Sequence, residues 1–233
     1  VQKPGLKTSV LYSRLIPNAG AREVQFLTEV TSSVTGNVLL EPLRRSWCQS
    51  SDELHVMCEE SLKDNPLGLA TAYFIHKQEP SDVWPHGVPN VLVCKPGAST
   101  KDRARAVVEN VGNLIVRMIE EMTEKGLFGE TFPTEIDVAG GGSELDFLMQ
   151  YIADVSGQRL RRFATKEAGT RGAALAAFMS VHANTDIRTL NADEPTKVFS
   201  CQSPERRRRY MMWQRMEQDV LKNTLPAHAE IET

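Results

Sequence analysis

A strand-like run, three consecutive glycines and a helix-like run follow one another directly in the second half of the chain. Residues 135–139 alternate polar and apolar side chains as a half-buried strand does, and the glycines at 140–142 come next. Residues 143–156 then repeat apolar side chains at helical spacing. A short strand over 159–163 and a small-residue helix over 172–181 continue the order. This alternation predicts an α/β fold, a mixed sheet flanked by helices.

The longest helical pattern in the chain precedes that junction. Between residues 104 and 122 the apolar side chains form one wide stripe at the 3.6-residue period of an α-helix. We expect this stripe to lie against the core, with Ser99 or Thr100 as the N-cap and Gly126 as the end. The opposite face of the helix is polar and carries Lys101, Arg105, Glu109, Asn113, Glu120, Glu121 and Glu124.

Weaker patterns outline the remaining elements. In chain order we predict a strand end over 8–16, a turn over 17–20, a helix containing Val24, Leu27 and Val30, a helix from Ser50 or Ser51 through Ser61, and strands over 67–75 and 89–93. The last helix begins near Glu205, and we expect it to bury Tyr210, Trp213, Met216 and Val220.

The composition is that of a globular protein and excludes some partners. The chain has 233 residues with 27 Lys and Arg against 30 Asp and Glu, which argues against a wholesale nucleic-acid binder. We expect no membrane span, since no apolar run reaches roughly 18 residues. No signal peptide is visible. Because the first residue is Val1 rather than Met, we expect a processed product, a recombinant piece or the tail of something longer.

The cysteine spacing predicts the redox compartment. Cys48, Cys58, Cys94 and Cys201 lie far apart and form no Cys-x-x-Cys pair or His/Cys cluster, so we expect no metal site. Scattered thiols are typical of buried small hydrophobes in a reducing compartment. We therefore expect an intracellular protein, in the cytoplasm or in an organelle.

The glycine turn is the best candidate site in the sequence. Gly140, Gly141 and Gly142 have no Cβ, so their backbone can take positive φ and let a ligand approach closely. A helix that begins just after them suits the phosphate or ribose of a nucleotide. The turn is neither a P-loop nor a dinucleotide fingerprint, and a purely structural turn is the alternative. We expect Ser143 to cap the helix rather than to act as a nucleophile.

Four segments, in the right order, resemble the C-terminal domain of FGGY-family carbohydrate kinases. They are Asn18-Ala19-Gly20 with Phe26-Leu27, Arg105-Ala106-Val107-Val108-Glu109-Asn110, residues 136–157, and Glu167-Ala168-Gly169-Thr170-Arg171-Gly172-Ala173-Ala174. The resemblance implies a ribonuclease-H-like domain of the actin/Hsp70 superfamily over residues 1–199. It also implies that a C-terminal helix and tail, residues 200–233, pack on the same domain.

In that family this half of the enzyme holds ATP with magnesium, while a preceding domain holds the sugar or polyol. The resemblance implies these cofactor-binding residues: Gly140, Gly141, Gly142, Leu145 and Asp146 around adenosine, Gly20 near the phosphates, and Gln25 facing the nucleotide. Leu145 stands where the family's adenine-contacting Asn is expected. The Gly-Asp-x-x-Ala motif that carries the family's catalytic Asp is absent from these residues, as is the Gly-Thr-Gly hairpin. We therefore assign no catalytic residue.

Two functions stay open at this level. One is the ATP-binding half of a sugar or polyol kinase, inactive alone and completed by an FGGY N-terminal domain or a partner chain. The other is a retired kinase-like domain that serves as a structural or interaction subunit of a homo-oligomer or larger assembly. Four consecutive cations predict either a solvated helix face or a docking patch for RNA or an acidic protein: Arg206, Arg207, Arg208 and Arg209.

Overall fold

The computed structural model describes residues 10–16, 25–31, 46–73, 91–124, 126, 133–164, 167–182 and 194–224. The elements are, in chain order, β1 (Val10–Ile16), β2 (Gln25–Thr31), α1 (Ser51–Asp64), β3 (Ala70–Tyr73), β4 (Val91–Cys94), α2 (Thr100–Glu124), β5 (Glu135–Val138), α3 (Asp146–Ser156), β6 (Arg159–Arg162), α4 (Ala168–Val181), β7 (Lys197–Phe199) and α5 (Glu205–Thr224). A one-turn 3-10 helix, Gly141–Glu144, lies between β5 and α3. The predicted α/β order is confirmed.

The described strands form three small sheets. β1 pairs antiparallel with β2, and β3 pairs antiparallel with β4. In the third sheet β6 is central, with β5 parallel to it on one side and β7 antiparallel on the other. The inward side chains Ile136, Val138 and Leu160 of this mixed sheet join the core that α2 and α3 build. No helix among the described residues is long and apolar enough to cross a membrane.

Residues 25–31 form a strand, so the helix predicted around Leu27 and Val30 is wrong. The apolar side chains in this segment are three residues apart, which imitates a helical stripe. However, Thr28, Val30 and Thr31 are β-branched, and such side chains lose freedom in a helix and fit a pleated strand. Pairing with β1 over its whole length then decides the conformation. The predicted turn over 17–20 lies outside the described residues.

Most other predicted elements agree with those observed. α1 begins after Ser50, whose Oγ accepts the N–H of Glu53 at 3.1 Å. β3 and β4 overlap the predicted strands, and α2 ends just before Gly126. α3 begins at Asp146 rather than at Ser143, because the glycines first wind into the 3-10 turn.

α2 is buried on both faces over its first half. Its apolar stripe lies in the core as predicted, but Arg105, Glu109 and Asn113 of the polar face are buried as well. Arg105 donates through Nε to Glu109 at 2.7 Å, and through Nη1 to the carbonyl of Asn65 at 2.7 Å. The end of α1 therefore covers this face and supplies acceptors for its charge, which makes burial of the ion pair tolerable.

A glycine allows α2 and α3 to cross closely. A Cβ built on Gly112 would lie 2.6 Å from Cδ1 of Tyr151, far inside van der Waals contact. The Tyr151 hydroxyl donates to Oδ1 of Asn113 at 2.7 Å, which satisfies two buried polar groups at the same crossing.

α5 docks on the domain through aromatic rings and arginines. Tyr210 and Trp213 are buried as predicted, and the Trp213 indole donates to the carbonyl of Ala72 at 2.9 Å. Met216 is 46% exposed, so its predicted burial is wrong. The Met216 sulfur, one turn beyond Trp213, accepts a hydrogen bond from the Tyr73 hydroxyl at 3.6 Å. The side chain of Val220 lies outside the described part of the structure.

Three of the four consecutive arginines pair with carboxylates of the domain. Arg206 pairs with Asp154 at 3.1 Å, Arg207 with Glu120 at 2.6 Å and Arg209 with Glu109 at 2.8 Å. Arg208 is exposed. Much of the run therefore holds α5 against α2 and α3 rather than forming an open basic face.

All four cysteines are free, but they differ in burial. Cys48 and Cys58 are buried in the core as predicted. Cys94 and Cys201 are exposed, so the prediction of burial is wrong for this exposed pair. Cys94 lies at the end of β4, and Cys201 follows β7 by two residues.

Candidate functional site

The three glycines form a turn that is open on its outer side. Gly140 has φ 89° and ψ 173°, a backbone conformation that residues with a side chain rarely adopt. Ser143 closes the turn, since its N–H and its Oγ both donate to the carbonyl of Gly140, at 3.0 and 2.7 Å. A Cβ built on Gly140, Gly141 or Gly142 would meet no atom within 4 Å. The glycine backbone can therefore be approached closely from outside.

An apolar slot of about 350 Å³ lies beside this turn. Its walls come from α2, β5 and α3, and include Val111, Ile115, Ile136, Val138, Leu148 and Ile152. Gly142 and Ser143 line it on the side of the turn. Its volume is at the small end of the range for small-molecule pockets, which is about 300–1,000 Å³.

The carboxylate of Asp146, at the start of α3, is held by two cations. Arg162 on β6 donates to Oδ1 at 2.8 Å, and Lys197 on β7 donates to Oδ2 at 2.5 Å. Partial burial by itself would raise the pKa of Asp146, but the hydrogen bonds and charges of Lys197 and Arg162 outweigh it and lower the pKa below its usual value. Asp146 is therefore an ionised group already committed to partners within the chain.

The other predicted cofactor-binding residues lie in different places. Leu145 is 4% exposed and belongs to the core cluster, so its side chain points away from the turn's open side. Gln25 begins β2, in a sheet separate from the one that carries the turn. Gly20 lies outside the described residues. Of the predicted set, the structure brings together the three glycines with Leu145 and Asp146.

Sequence reasoning missed the side chains that hold the end of the turn and the start of α3. Arg162 also donates to the carbonyl of Ser143, at 2.8 Å, so it ties β6 to the turn. The available signal is a run of cations on the strand that follows the glycines: Arg159, Arg161 and Arg162. Arg161, next to it, points to the other face and pairs with Asp137 at 2.7 Å. Among the residues that the structure describes, no group of three His, Cys, Asp or Glu could hold a metal ion.

The described mixed sheet with helices packed against it, and the glycine turn between a strand and a helix, form the arrangement that the resemblance implies for a ribonuclease-H-like domain of the actin/Hsp70 superfamily. The C-terminal domain of the FGGY family of carbohydrate kinases matches residues 15–181 of the chain. The chain therefore belongs to the FGGY family of carbohydrate kinases, of which it carries the C-terminal domain. No curated protein sequence gives a match to it.

Solved structures of kinases share this fold. The xylulose kinase from Lactobacillus acidophilus has a TM-score of 0.66 at 14% identity, over 96% of this chain and 44% of that one. Plasmodium falciparum glycerol kinase with ADP gives 0.69 at 14%, over 91% and 42%. The xylulose kinase from Rhodospirillum rubrum gives 0.68 at 14%, over 93% and 42%. The chain thus spans less than half the length of each of these kinases.

Proposed function

We propose that this chain is the ATP-binding half of a carbohydrate kinase and that it transfers no phosphate on its own. The observation that carries the proposal is the open glycine turn with an apolar slot beside it. A bare backbone at Gly140, Gly141 and Gly142 leaves room for a nucleotide. The slot, lined largely by aliphatic side chains, suits the flat apolar faces of a base.

Within this proposal the chain positions the nucleotide and excludes water from one side of it. Phosphoryl transfer depends mainly on positioning and on neutralising charge, so a half-enzyme can hold one substrate without catalysing. ATP would bring magnesium on its phosphates, and the ion would help to neutralise the charge that develops there. The described residues contain no ligand cluster for the ion, so we assign it to no residue of this chain.

Titration calorimetry with ATP and magnesium tests the proposal, and micromolar binding is expected. Gly141→Ala should weaken it, because the added Cβ meets no protein atom and occupies only the ligand's side. The matched control is Gly172→Ala on α4, where a Cβ also meets nothing within 4 Å. If Gly141→Ala binds ATP as tightly as wild type, the glycine turn is not part of the nucleotide site. Sugar phosphorylation by the isolated chain would refute its inactivity.

The proposed partner is the other half of such a kinase, and α4 is the surface that we assign to it. α4 is rich in Ala and Gly, yet Phe178 is 43% and Val181 77% exposed. A helix that is apolar on all sides is normally buried. In the isolated chain, Val181→Asp should leave the unfolding midpoint unchanged. A lower midpoint would show that α4 already packs within this chain.

A retired domain that serves as an interaction subunit is the second candidate, and two residues favour it. Leu145 is buried and the carboxylate of Asp146 is neutralised by Arg162 and Lys197, so neither is free for adenosine. The same calorimetry separates the candidates, because a scaffold would bind no ATP up to millimolar concentration.

A further inference from the structure

Arg162 hydrogen-bonds the end of the glycine turn and the start of α3. One nitrogen, Nη1, donates both to the carbonyl of Ser143 and to Oδ1 of Asp146, each at 2.8 Å. The side chain is 18% exposed, and its guanidinium lies over the ring of Phe199 at 5.5 Å. It is therefore held in one orientation by a ring on one side and two oxygen acceptors on the other.

Lys197 completes this support from the neighbouring strand. It lies opposite Arg162 in the β6–β7 register and donates to Oδ2 of Asp146 at 2.5 Å. Its ammonium also lies over Phe199, at 5.2 Å. Two cations from adjacent strands thus hold one carboxylate at the point where the 3-10 turn becomes α3.

The turn needs such support because glycine has no conformational preference of its own. Gly140, Gly141 and Gly142 lose more backbone freedom on ordering than other residues would. Their missing Cβ atoms also leave them without contacts on the outer side. Arg162 reaches the backbone of the turn with a hydrogen bond, as does the turn's own Ser143.

We propose that Arg162 is a positioning residue for nucleotide binding, which fixes the shape of the glycine turn by holding the Ser143 carbonyl and Asp146. The inference rests on the proposed function and deepens it. It assigns to Arg162, which does not line the apolar slot, an indirect effect on nucleotide affinity.

The test compares two arginines of the same strand. Arg162→Met keeps the length of the side chain and removes both hydrogen bonds. Arg161→Met is the matched control, since Arg161 is also ion-paired, with Glu135 and Asp137, but does not contact the turn. We expect Arg162→Met to weaken ATP binding by about tenfold or more, since the loss of even one of its two hydrogen bonds would have an effect of that size. Arg161→Met should change it by less than about twofold. Arg162→Lys should restore part of the loss.

Amide hydrogen exchange of residues 140–146 without ligand gives the second measurement. Exchange there should be faster in Arg162→Met and unchanged in Arg161→Met, with the rest of the sheet protected in both. If wild type binds no ATP, the proposed function fails while the exchange result still decides the positioning role. Equal exchange in Arg162→Met and wild type, or equal acceleration in both variants, would overturn that role. Should Arg162→Met not fold, Arg162→Lys and Lys197→Met decide instead, and both should accelerate exchange in the turn.

Discussion

Replacing Asp154 by Asn should loosen the start of α5. This carboxylate is only 1% exposed and receives the backbone N–H groups of Gln202 and Ser203 at 2.6 and 3.1 Å. Its second oxygen lies 3.1 Å from Nη1 of Arg206, whose side chain is 7% exposed. Asparagine keeps the size of the side chain but loses the charge, so Arg206 would stay buried without its counter-charge.

The expected cost is about 3 kcal/mol. Removing one member of a buried ion pair typically costs about 3–5 kcal/mol, because the remaining charge is left uncompensated. The low end of that range applies, because Arg206 also lies over the rings of Phe147 and Tyr151, at 5.1 and 5.5 Å. Each such contact offsets about 0.5–2 kcal/mol. Asp137→Asn is the matched control, since Asp137 is 56% exposed and an exposed pair contributes about 0–1 kcal/mol.

Urea unfolding followed by Trp fluorescence measures the free energies of unfolding of Asp154→Asn and of the control Asp137→Asn. The double variant Asp154→Asn with Arg206→Met removes the orphaned charge, and should be more stable than Asp154→Asn alone by about 1–2 kcal/mol. A cost of Asp154→Asn no larger than that of Asp137→Asn would refute the reasoning. So would a double variant whose cost equals the sum of the two single costs.

Gly112→Ala should cost about 1–3 kcal/mol in the same unfolding experiment, because its Cβ would lie 2.6 Å from Tyr151; an unchanged midpoint would contradict the close helix crossing. Burial alone would raise the pKa of Asp102, but hydrogen bonds led by those from Ser99 outweigh it and lower the pKa below 3.8. The ionised form thus stabilises the fold above about pH 4, and this contribution is lost as the pH falls through the lowered pKa. Asp102→Asn should therefore flatten the acid limb of the stability profile, and an equally steep limb would argue against these bonds. A thiol reagent should find two cysteines in the folded chain, the exposed pair, and four after denaturation; four fast thiols before denaturation would contradict the burial.

The glycine turn and α2 could be predicted from sequence because their signals are local. The apolar stripe on α2 is recognised from the spacing of residues three or four positions apart in the chain. Val108, Val111 and Leu114 are buried as that spacing predicts. The glycines follow a strand and precede a helix without interruption, so the site could be placed before any contact was known.

The supports of these elements could not be predicted, because they depend on which distant segments meet. Besides the nearby Glu109, Arg105 has backbone acceptors at Ser61, Asn65 and Pro66, about forty positions earlier in the chain. Its burial on a polar face therefore has no local signal. Arg162 likewise meets Ser143 because β5 and β6 pair in parallel. The sequence of neither strand shows which other strand it pairs with.

The two candidate functions, ATP binding and a structural role, differ in what they require of Leu145 and Asp146. Both follow the open glycines directly, yet one side chain enters the core and the other is neutralised within the chain. A nucleotide could still use the backbone of the turn and the apolar slot, since neither requires a contact between the ligand and those two side chains. It would then gain affinity from shape and burial rather than from polar contacts of these two residues. If this chain binds ATP, we therefore expect tolerance of changes in the base, because no polar side chain at these two positions would read its edge.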